Sequence, residues 1–271
     1  MQTKKPSIAW TPAIFIVITH FLALLGIFTF SINALILCIA LYLITGGLGI
    51  TLCFHRLLTH RSFQVPKWFE YFLAVLGTLA LQGGPITWVG IHRFHHLYSD
   101  TNEDPHSPKR GFWWSHMEWT LRKVGCTYSE QYKKLISDLT KDKVFIFLDD
   151  YPILWTILLG LFLYFWGGWA FVIWGIFVRL VLTWHCTWLV NSACHIWGYQ
   201  TYITKDNSKN NWWVALLSFG EGWHHNHHKY PNSARHGLQW WELDMTYLTI
   251  KILKFLGIAK NLRSVKASTQ Q

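Results

Sequence analysis

Histidine, a common metal ligand in proteins, occurs 15 times in this 271-residue chain and is concentrated in short clusters. The segments HRLLTH, HRFHH, NSACH and HHNHH hold nine candidate ligands: His55, His60, His92, His95, His96, His195, His224, His227 and His228. Positions i, i+3 and i+4 lie on one face of a helix. The sequence therefore predicts that each HxxHH cluster points three imidazoles at a common point.

Nine imidazoles exceed the capacity of one metal ion, so the pattern predicts two. All-imidazole ligation suits iron, zinc or copper, but zinc sites normally take four ligands or fewer, often with cysteine among them. Two iron ions with open or water-filled positions fit the count of nine. Asn191, four residues before His195, could hold a metal-bound water through its amide, or it could make only an ordinary hydrogen bond.

Long apolar segments must carry these histidines, because 51% of the residues are hydrophobic and 18 are Trp. No Asp, Glu, Lys or Arg occurs from Pro6 to His55, and Arg179 is the only one from Tyr151 to Thr204. A crossing needs roughly 20 apolar residues, so each stretch is long enough for two. We predict four transmembrane helices over residues 10–30, 32–54, 151–167 and 169–195.

The distribution of positive charge predicts the topology. Twelve of the 24 Lys and Arg lie between Arg56 and Lys143, nine follow from Lys205 onward, and two precede the first span. By the positive-inside rule both termini and both polar segments face the cytoplasm. The apolar segment over 67–84 is predicted to be an interfacial or re-entrant helix, because a full crossing would separate the histidine clusters. Residues 88–150 and 205–255 then form a cytoplasmic cap within one domain, 1–271.

The net charge of +10 comes without a basic motif for nucleic acid, which we exclude as a partner. Anionic lipid headgroups and an acidic electron donor are the expected partners of these cations. The five Cys form no CxxC pair and lie mostly in apolar spans, so they are interpreted as packing residues.

The segments HRLLTHRSF, HRFHHLYSDTNEDPHS, NSACHIWG and GEGWHHNHH resemble the histidine boxes of the membrane fatty-acyl desaturases, particularly the cyanobacterial delta-9 acyl-lipid type, from about Leu41 to His236. The resemblance extends to the stearoyl-CoA desaturases. It implies an all-α integral membrane protein whose cytoplasmic helical cap holds a di-iron centre. The nine histidines would bind two irons, with Asn191 reaching one through water. His225 occupies a variable place in its box. The remaining histidines are interpreted as structural: His20, His106, His116, His185 and His236.

The same resemblance implies a dioxygen-dependent enzyme that introduces a cis double bond, at the delta-9 position, into a saturated acyl chain of a membrane glycerolipid. Electrons must come from a separate donor, because no GxGxxG motif follows a predicted strand; reduced ferredoxin is expected, or a b-type cytochrome. Docking of the donor, or binding of headgroups, is assigned to Arg110, Arg122 and Lys123, with Lys133 and Lys134. In a cyanobacterium the location would be the thylakoid or plasma membrane.

The substrate tunnel is also inferred from the resemblance. Gln82, Trp88, Thr187 and Trp188 match residues at the bend of the family's tunnel, and Leu43 and Gly47 match its closed end. Animal acyl-CoA desaturases carry an Arg where Gly90 stands here, which favours a lipid-linked substrate over acyl-CoA.

Two alternatives remain open at this point. A membrane hydroxylase or ketolase would use the same di-iron chemistry and yield an oxygenated product. A haem or metal carrier without enzymatic activity would use His20 and His185 inside the spans.

Overall fold

A computed structural model describes residues 6–265, and its elements are helices joined by turns and loops. The α-helices are α1 Trp10–Leu24, α2 Ile32–Tyr42, α3 Lys67–Thr78, α4 Pro85–Tyr98, α5 Phe112–His116, α6 Glu130–Leu135, α7 Lys143–Asp150, α8 Pro152–Val172, α9 Arg179–Ile196, α10 Trp212–Leu217, α11 His224–Lys229 and α12 Met245–Phe255. Two π-helical stretches, Leu43–Thr59 and Ile173–Val178, continue α2 and lead into α9. Over 6–265 there are isolated β-bridges but no strand. The ends of the predicted domain, with Lys4 and Lys5, lie outside the described residues.

Three helical segments are long and apolar enough to cross a membrane: Trp10–Ile27, Ile32–Thr59 and Pro152–Ile196. The first two are separated by a short turn, after which Ser31 Oγ accepts a hydrogen bond from Ala34 N and begins α2. The second segment continues to Thr59 and so reaches beyond the predicted boundary at residue 54. These segments make the chain a membrane protein.

The third segment is interrupted at two glycines. It has 45 residues, whereas a crossing takes roughly 20. Gly167 (φ −147°, ψ 17°) and Gly168 (φ 68°, ψ −159°) leave helical geometry, and the positive φ at Gly168 is one that glycine adopts without strain. The two arms then pack together, because a Cβ on Gly175 would lie 2.6 Å from Leu163 Cδ1. The break lies where the sequence predicts a turn.

Helix α3 covers only part of the predicted interfacial segment over 67–84. It ends at Thr78, and the chain then turns through Leu81, whose φ is +49°. Its backbone touches that of the π-helical stretch, since a Cβ on Gly49 would lie 2.6 Å from Gly77 Cα. Trp68 and Phe72 stay exposed on its outer face, as an interfacial helix requires.

Helix α4 carries the second histidine box and starts at a fixed point. Pro85 occupies its first turn, where its missing N–H costs no hydrogen bond. The Asp149 carboxylate accepts from Thr87 N at 2.9 Å and from Thr87 Oγ1 at 2.8 Å. The end of α7 is thereby joined to the start of α4. The five cysteines are free, and four are buried, in agreement with a packing role.

Candidate metal centre

The nine predicted ligands converge in two clusters. We call His55, His60, His92, His96 and His227 the five-histidine cluster, and His95, His195, His224 and His228 the four-histidine cluster. Within each cluster the candidate ligand atoms all lie within 4.8 Å of one another. Four elements contribute these side chains, namely the π-helical stretch, α4, α9 and α11, and His60 directly follows the π-helical stretch.

Each HxxHH box is divided between the two clusters, so the prediction of three imidazoles pointing at one place is wrong. His92 and His96 enter the five-histidine cluster, but His95 enters the other. In α11, His224 and His228 share a cluster and His227 leaves it. Around a helix, position i+4 is rotated by about 40° from position i, and position i+3 by about 60° in the opposite direction. The first and last histidines of each box therefore face one cluster, and the middle histidine faces the other.

Four imidazoles contact a carboxylate through Nδ1. The distances are 2.6 Å for His55 with Glu221, 3.0 Å for His95 with Asp104, 3.1 Å for His195 with Asp100, and 2.9 Å for His228 with Asp206. Such pairs fix the ring orientation and the tautomer of metal-ligating histidines. Sequence reasoning missed all four acids, although Asp100 and Asp104 directly follow the second box and Glu221 precedes the third.

Several Nε2 atoms of the clusters offer a lone pair. In the neutral ring a carboxylate on Nδ1 takes the only N–H, so Nε2 is an acceptor. Nε2 of His55 lies 3.1 Å from Nε2 of His227, and Nε2 of His195 lies 3.1 Å from Nε2 of His224. Nε2 of His60, His95 and His228 is buried and has no hydrogen-bond partner among residues 6–265. Converging lone pairs of this kind fit a bound cation.

Burial favours the uncharged form of several of these imidazoles. It lowers the pKa of His92, His96 and His227 well below the ordinary value, and neighbouring histidines add to the effect. Burial opposes ionisation of Glu221, but the adjacent Arg56 and His55 outweigh it and hold the pKa of that carboxyl well below its usual range. Neutral imidazoles and ionised carboxylates are the states that metal ligation needs.

Glu221 belongs to a buried ionic network. Arg56, fully buried, lies 3.0 Å from Glu221 Oε1 and 2.9 Å from Asp244 Oδ2. His236, assigned a structural role from the sequence, has Nδ1 3.1 Å from Glu221 Oε2. His106 similarly lies 3.7 Å from Asp104. These two histidines border the clusters.

Two cavities meet beside the clusters. One, of about 510 Å³, extends from His55 and His224 towards Tyr42 and Phe219. The other, of about 1000 Å³, extends towards Pro12 and Ile16 at the start of α1. Both cavities are lined by Trp88, His92, Thr187 and Asn191, so they adjoin at these residues. One of the four, His92, belongs to the five-histidine cluster.

The predicted bend residues lie where the cavities adjoin. Gln82 Nε2 donates to Thr187 Oγ1 at 3.0 Å, and Trp88 Nε1 donates to Gln82 Oε1 at 3.2 Å. Gln82 and Trp188 line the larger cavity. These hydrogen bonds therefore join Trp88, Gln82 and Thr187 at the place where the two cavities adjoin.

The predicted closed end requires a correction. Leu43 is 49% exposed and lines neither cavity, and a Cβ on Gly47 would only touch the Phe219 ring at 3.7 Å. The smaller cavity instead ends at Tyr42, Gly46 and Phe219, whose two rings lie 4.9 Å apart.

The three predicted docking residues share one cleft of about 580 Å³. Lys123 is exposed, Arg122 lies 2.9 Å from Glu118, and the Arg110 guanidinium lies 4.9 Å from the centre of the Trp114 ring. Glu103 and Asp104 line the same cleft. Lys133 pairs with Glu130 elsewhere.

His20 and His185 contact each other inside the spans. Their Nε2 atoms are 3.1 Å apart. His185 Nδ1 contacts His116 Nε2 at 2.9 Å, and His116 Nδ1 contacts Ser192 Oγ at 3.0 Å. This chain of hydrogen bonds links α1, α9 and α5, as the structural role predicted for these histidines requires.

The apolar spans and the paired histidine clusters define a membrane protein with two groups of side chains that could each hold a metal ion. The chain belongs to the fatty acid desaturase family, whose model matches residues 31–251. It is 53% identical over 263 residues to the sn-1 stearoyl-lipid 9-desaturase of Anabaena variabilis, covering 96% of both chains. It is 49% identical to the sn-2 palmitoyl-lipid 9-desaturase of a Nostoc species, covering 96% of this chain and 92% of the relative. The predicted family is confirmed.

Proposed function

We propose that this enzyme introduces a cis double bond at the delta-9 position of a saturated acyl chain carried by a membrane glycerolipid. The observation that carries the proposal is the placement of both histidine clusters against two adjoining cavities that meet at Trp88, His92, Thr187 and Asn191. The names of the relatives from Anabaena and Nostoc support the bond position and the lipid-linked substrate.

Two iron ions are the proposed cofactor, one for each cluster. The five-histidine cluster would hold one ion through imidazole nitrogens alone. The four-histidine cluster would hold the other, with Asn191 reaching it through a water. Donor sets of four and five neutral imidazoles suit iron, and they leave positions open for a co-substrate.

When bound, the two irons supply the activation of dioxygen and the removal of two hydrogens from adjacent carbons, taking up two electrons and two protons and releasing two waters. The chain's own residues hold and orient the groups. Asp104 and Glu221 accept Nδ1–H and so aim Nε2 at the ions. The apolar walls contributed by Ile50 and Val190 exclude water from the acyl chain.

We further propose four crossings, with both termini and the cap on the cytoplasmic side of a thylakoid or plasma membrane. The break at Gly167 and Gly168 supports this, because it divides a 45-residue segment into two arms that pack together. All nine histidines would then lie on the side that carries the positive loops.

A lipid-linked substrate is supported at Gly90. A Cβ there would lie 2.5 Å from the Tyr132 hydroxyl and 2.6 Å from Ile136 Cγ2, so these side chains fill the place of the Arg of the acyl-CoA enzymes. The cleft of Arg110, Arg122 and Lys123 is the proposed docking place for reduced ferredoxin, a b-type cytochrome being the alternative donor.

The test is expression in a host that lacks delta-9 activity, followed by mapping of double bonds in its extracted lipids. We expect a cis alkene between the ninth and tenth carbons of acyl chains esterified to glycerol. An alcohol or ketone in place of the alkene would favour the hydroxylase alternative. An alkene confined to acyl-CoA would contradict the lipid-linked substrate.

A further inference from the structure

A positively charged residue is buried in the third apolar segment. Arg179 is fully buried, and among residues 6–265 no carboxylate pairs with it. It donates instead to three oxygens: Gly175 O at 2.7 Å, Leu79 O at 3.0 Å and Thr45 Oγ1 at 3.1 Å. Charged side chains inside membrane spans are costly and usually have a function.

One of those oxygens belongs to Leu79, the residue that follows the last residue of α3. Carbonyls at and just beyond a helix C-terminus lack helical partners. Arg179 satisfies Leu79 O, and Trp184 Nε1 donates to the next carbonyl, Ala80 O, at 2.8 Å. No water replaces such donors in an apolar interior. Two side chains of α9, five residues apart, therefore hold the backbone that directly follows α3.

The backbone changes direction immediately after these two carbonyls. Leu81 has φ +49° and Gly83 has φ +98°, both in the left-handed region. Leu81, Gln82 and Gly83 line the larger cavity, and Gln82 is bonded to Thr187. The end of α3 therefore determines where Gln82 enters the bend.

We propose that Arg179 and Trp184 are positioning residues that select the carbon–carbon bond presented to the metal centre. The inference rests on the proposed function. They act through Leu79 and Ala80. Arg179 lines neither cavity, whereas Trp184 also lines the larger one. If α3 gained or lost one residue, the following backbone would move by about 1.5 Å along the helix axis, which is close to the spacing of neighbouring carbons in an extended acyl chain. Without the hydrogen bonds to Leu79 O and Ala80 O, a fraction of the enzyme molecules would present a neighbouring carbon–carbon bond of the acyl chain to the metal centre.

Two variants each remove one cap. Trp184→Phe deletes the Nε1–H that caps Ala80 O but also changes a side chain that lines the larger cavity. Arg179→Gln removes the charge, keeps a donor in the span and alters neither cavity wall, so it isolates the effect of capping. The matched control is Trp174→Phe, because Trp174 lies in the same segment and its buried Nε1 has no partner in the described part of the chain.

Each variant would be expressed beside the parent, and double-bond positions would be mapped in the lipids. Losing one buried hydrogen bond shifts the balance between two arrangements by roughly two- to tenfold. We expect Trp184→Phe and Arg179→Gln to raise the share of isomers with the double bond one carbon away by that factor. Trp174→Phe should match the parent.

A second measurement does not depend on activity. Hydrogen–deuterium exchange of the purified protein should speed up at residues 79–84 in Trp184→Phe but not in Trp174→Phe. The inference would be overturned if the Trp184 and Arg179 variants gave a lower yield, made only the parent's isomer and showed unchanged exchange. Both residues would then have an ordinary structural role. If the parent enzyme makes no alkene, the proposed function itself is refuted. This result is known before any variant is compared with the parent.

Discussion

We predict that the closed end of the smaller cavity limits acyl chain length, and Gly46 is the residue at which that limit can be tested. A Cβ on Gly46 would lie 3.1 Å from Phe219 Cε2 and 3.3 Å from Tyr42 Cε2, tighter than ordinary contact. Gly46→Ala therefore takes space that the end of the acyl chain would otherwise occupy. A chain that must withdraw from that space loses the burial of its terminal carbons.

The magnitude follows from the burial lost. Each methylene excluded from the cavity costs about 0.8 kcal/mol, a factor of roughly four in preference. Stearoyl and palmitoyl chains differ by two methylenes, so Gly46→Ala should move the preference towards palmitoyl by roughly four- to fifteenfold. The position of the double bond should not change, because the bend at Gln82 lies elsewhere.

The assay is competition between stearoyl and palmitoyl lipids in one membrane preparation, with products separated by chain length. Gly47→Ala is the matched control, because its methyl would meet the Phe219 ring at 3.7 Å or more, an ordinary contact. An unchanged product ratio in folded, metal-loaded Gly46→Ala would refute the assignment. An equal shift in Gly47→Ala would show that the whole helix moved.

Three further outcomes are expected. Glu221→Gln should lower metal content or activity by roughly ten- to hundredfold, measured by metal analysis and product yield, whereas exposed Glu130→Gln should change neither. Asn191→Ala should lower activity by a similar factor while metal analysis still finds two ions per chain, and parental turnover would remove Asn191 from the site. Stripping the metal should lower the melting temperature by roughly 5–10 °C, and zinc should restore the temperature but not the activity; an unchanged melting temperature would speak against a metal bound by both clusters.

The metal site was predictable because its ligands are grouped in the sequence. HxxHH spacing and the long apolar segments on either side place His92, His96 and His227 without a structure. The division of each box between two clusters was not predictable, because it depends on how α4 and α11 are rotated relative to each other. Neither were the carboxylates, since Asp206 lies 22 residues from His228 and Glu221 lies 166 residues from His55 in the chain.

The closed end of the tunnel shows a different limit of sequence reasoning. Leu43 and Gly47 are assigned to the closed end only by resemblance to the family. The backbone there bonds in the π-helical pattern, so a period of 3.6 residues per turn could not have shown which face each residue occupies. Apolar residues fill this stretch on every side, and no hydrophobic stripe in the sequence marks the change of period.

The carboxylates behind the imidazoles also determine the electrical balance of the loaded centre. Asp100, Asp104, Asp206, Glu221 and Asp244 surround it, and Arg56 is the one guanidinium in that network of described residues. Five negative charges and one positive charge leave a net charge of minus four, which two divalent ions, one in each cluster as proposed, would balance. Balanced charges offset part of the cost of burying the network beside an apolar cavity. Without metal that negative charge would stay uncompensated, so the carboxylates that orient the imidazoles would also favour the uptake of cations.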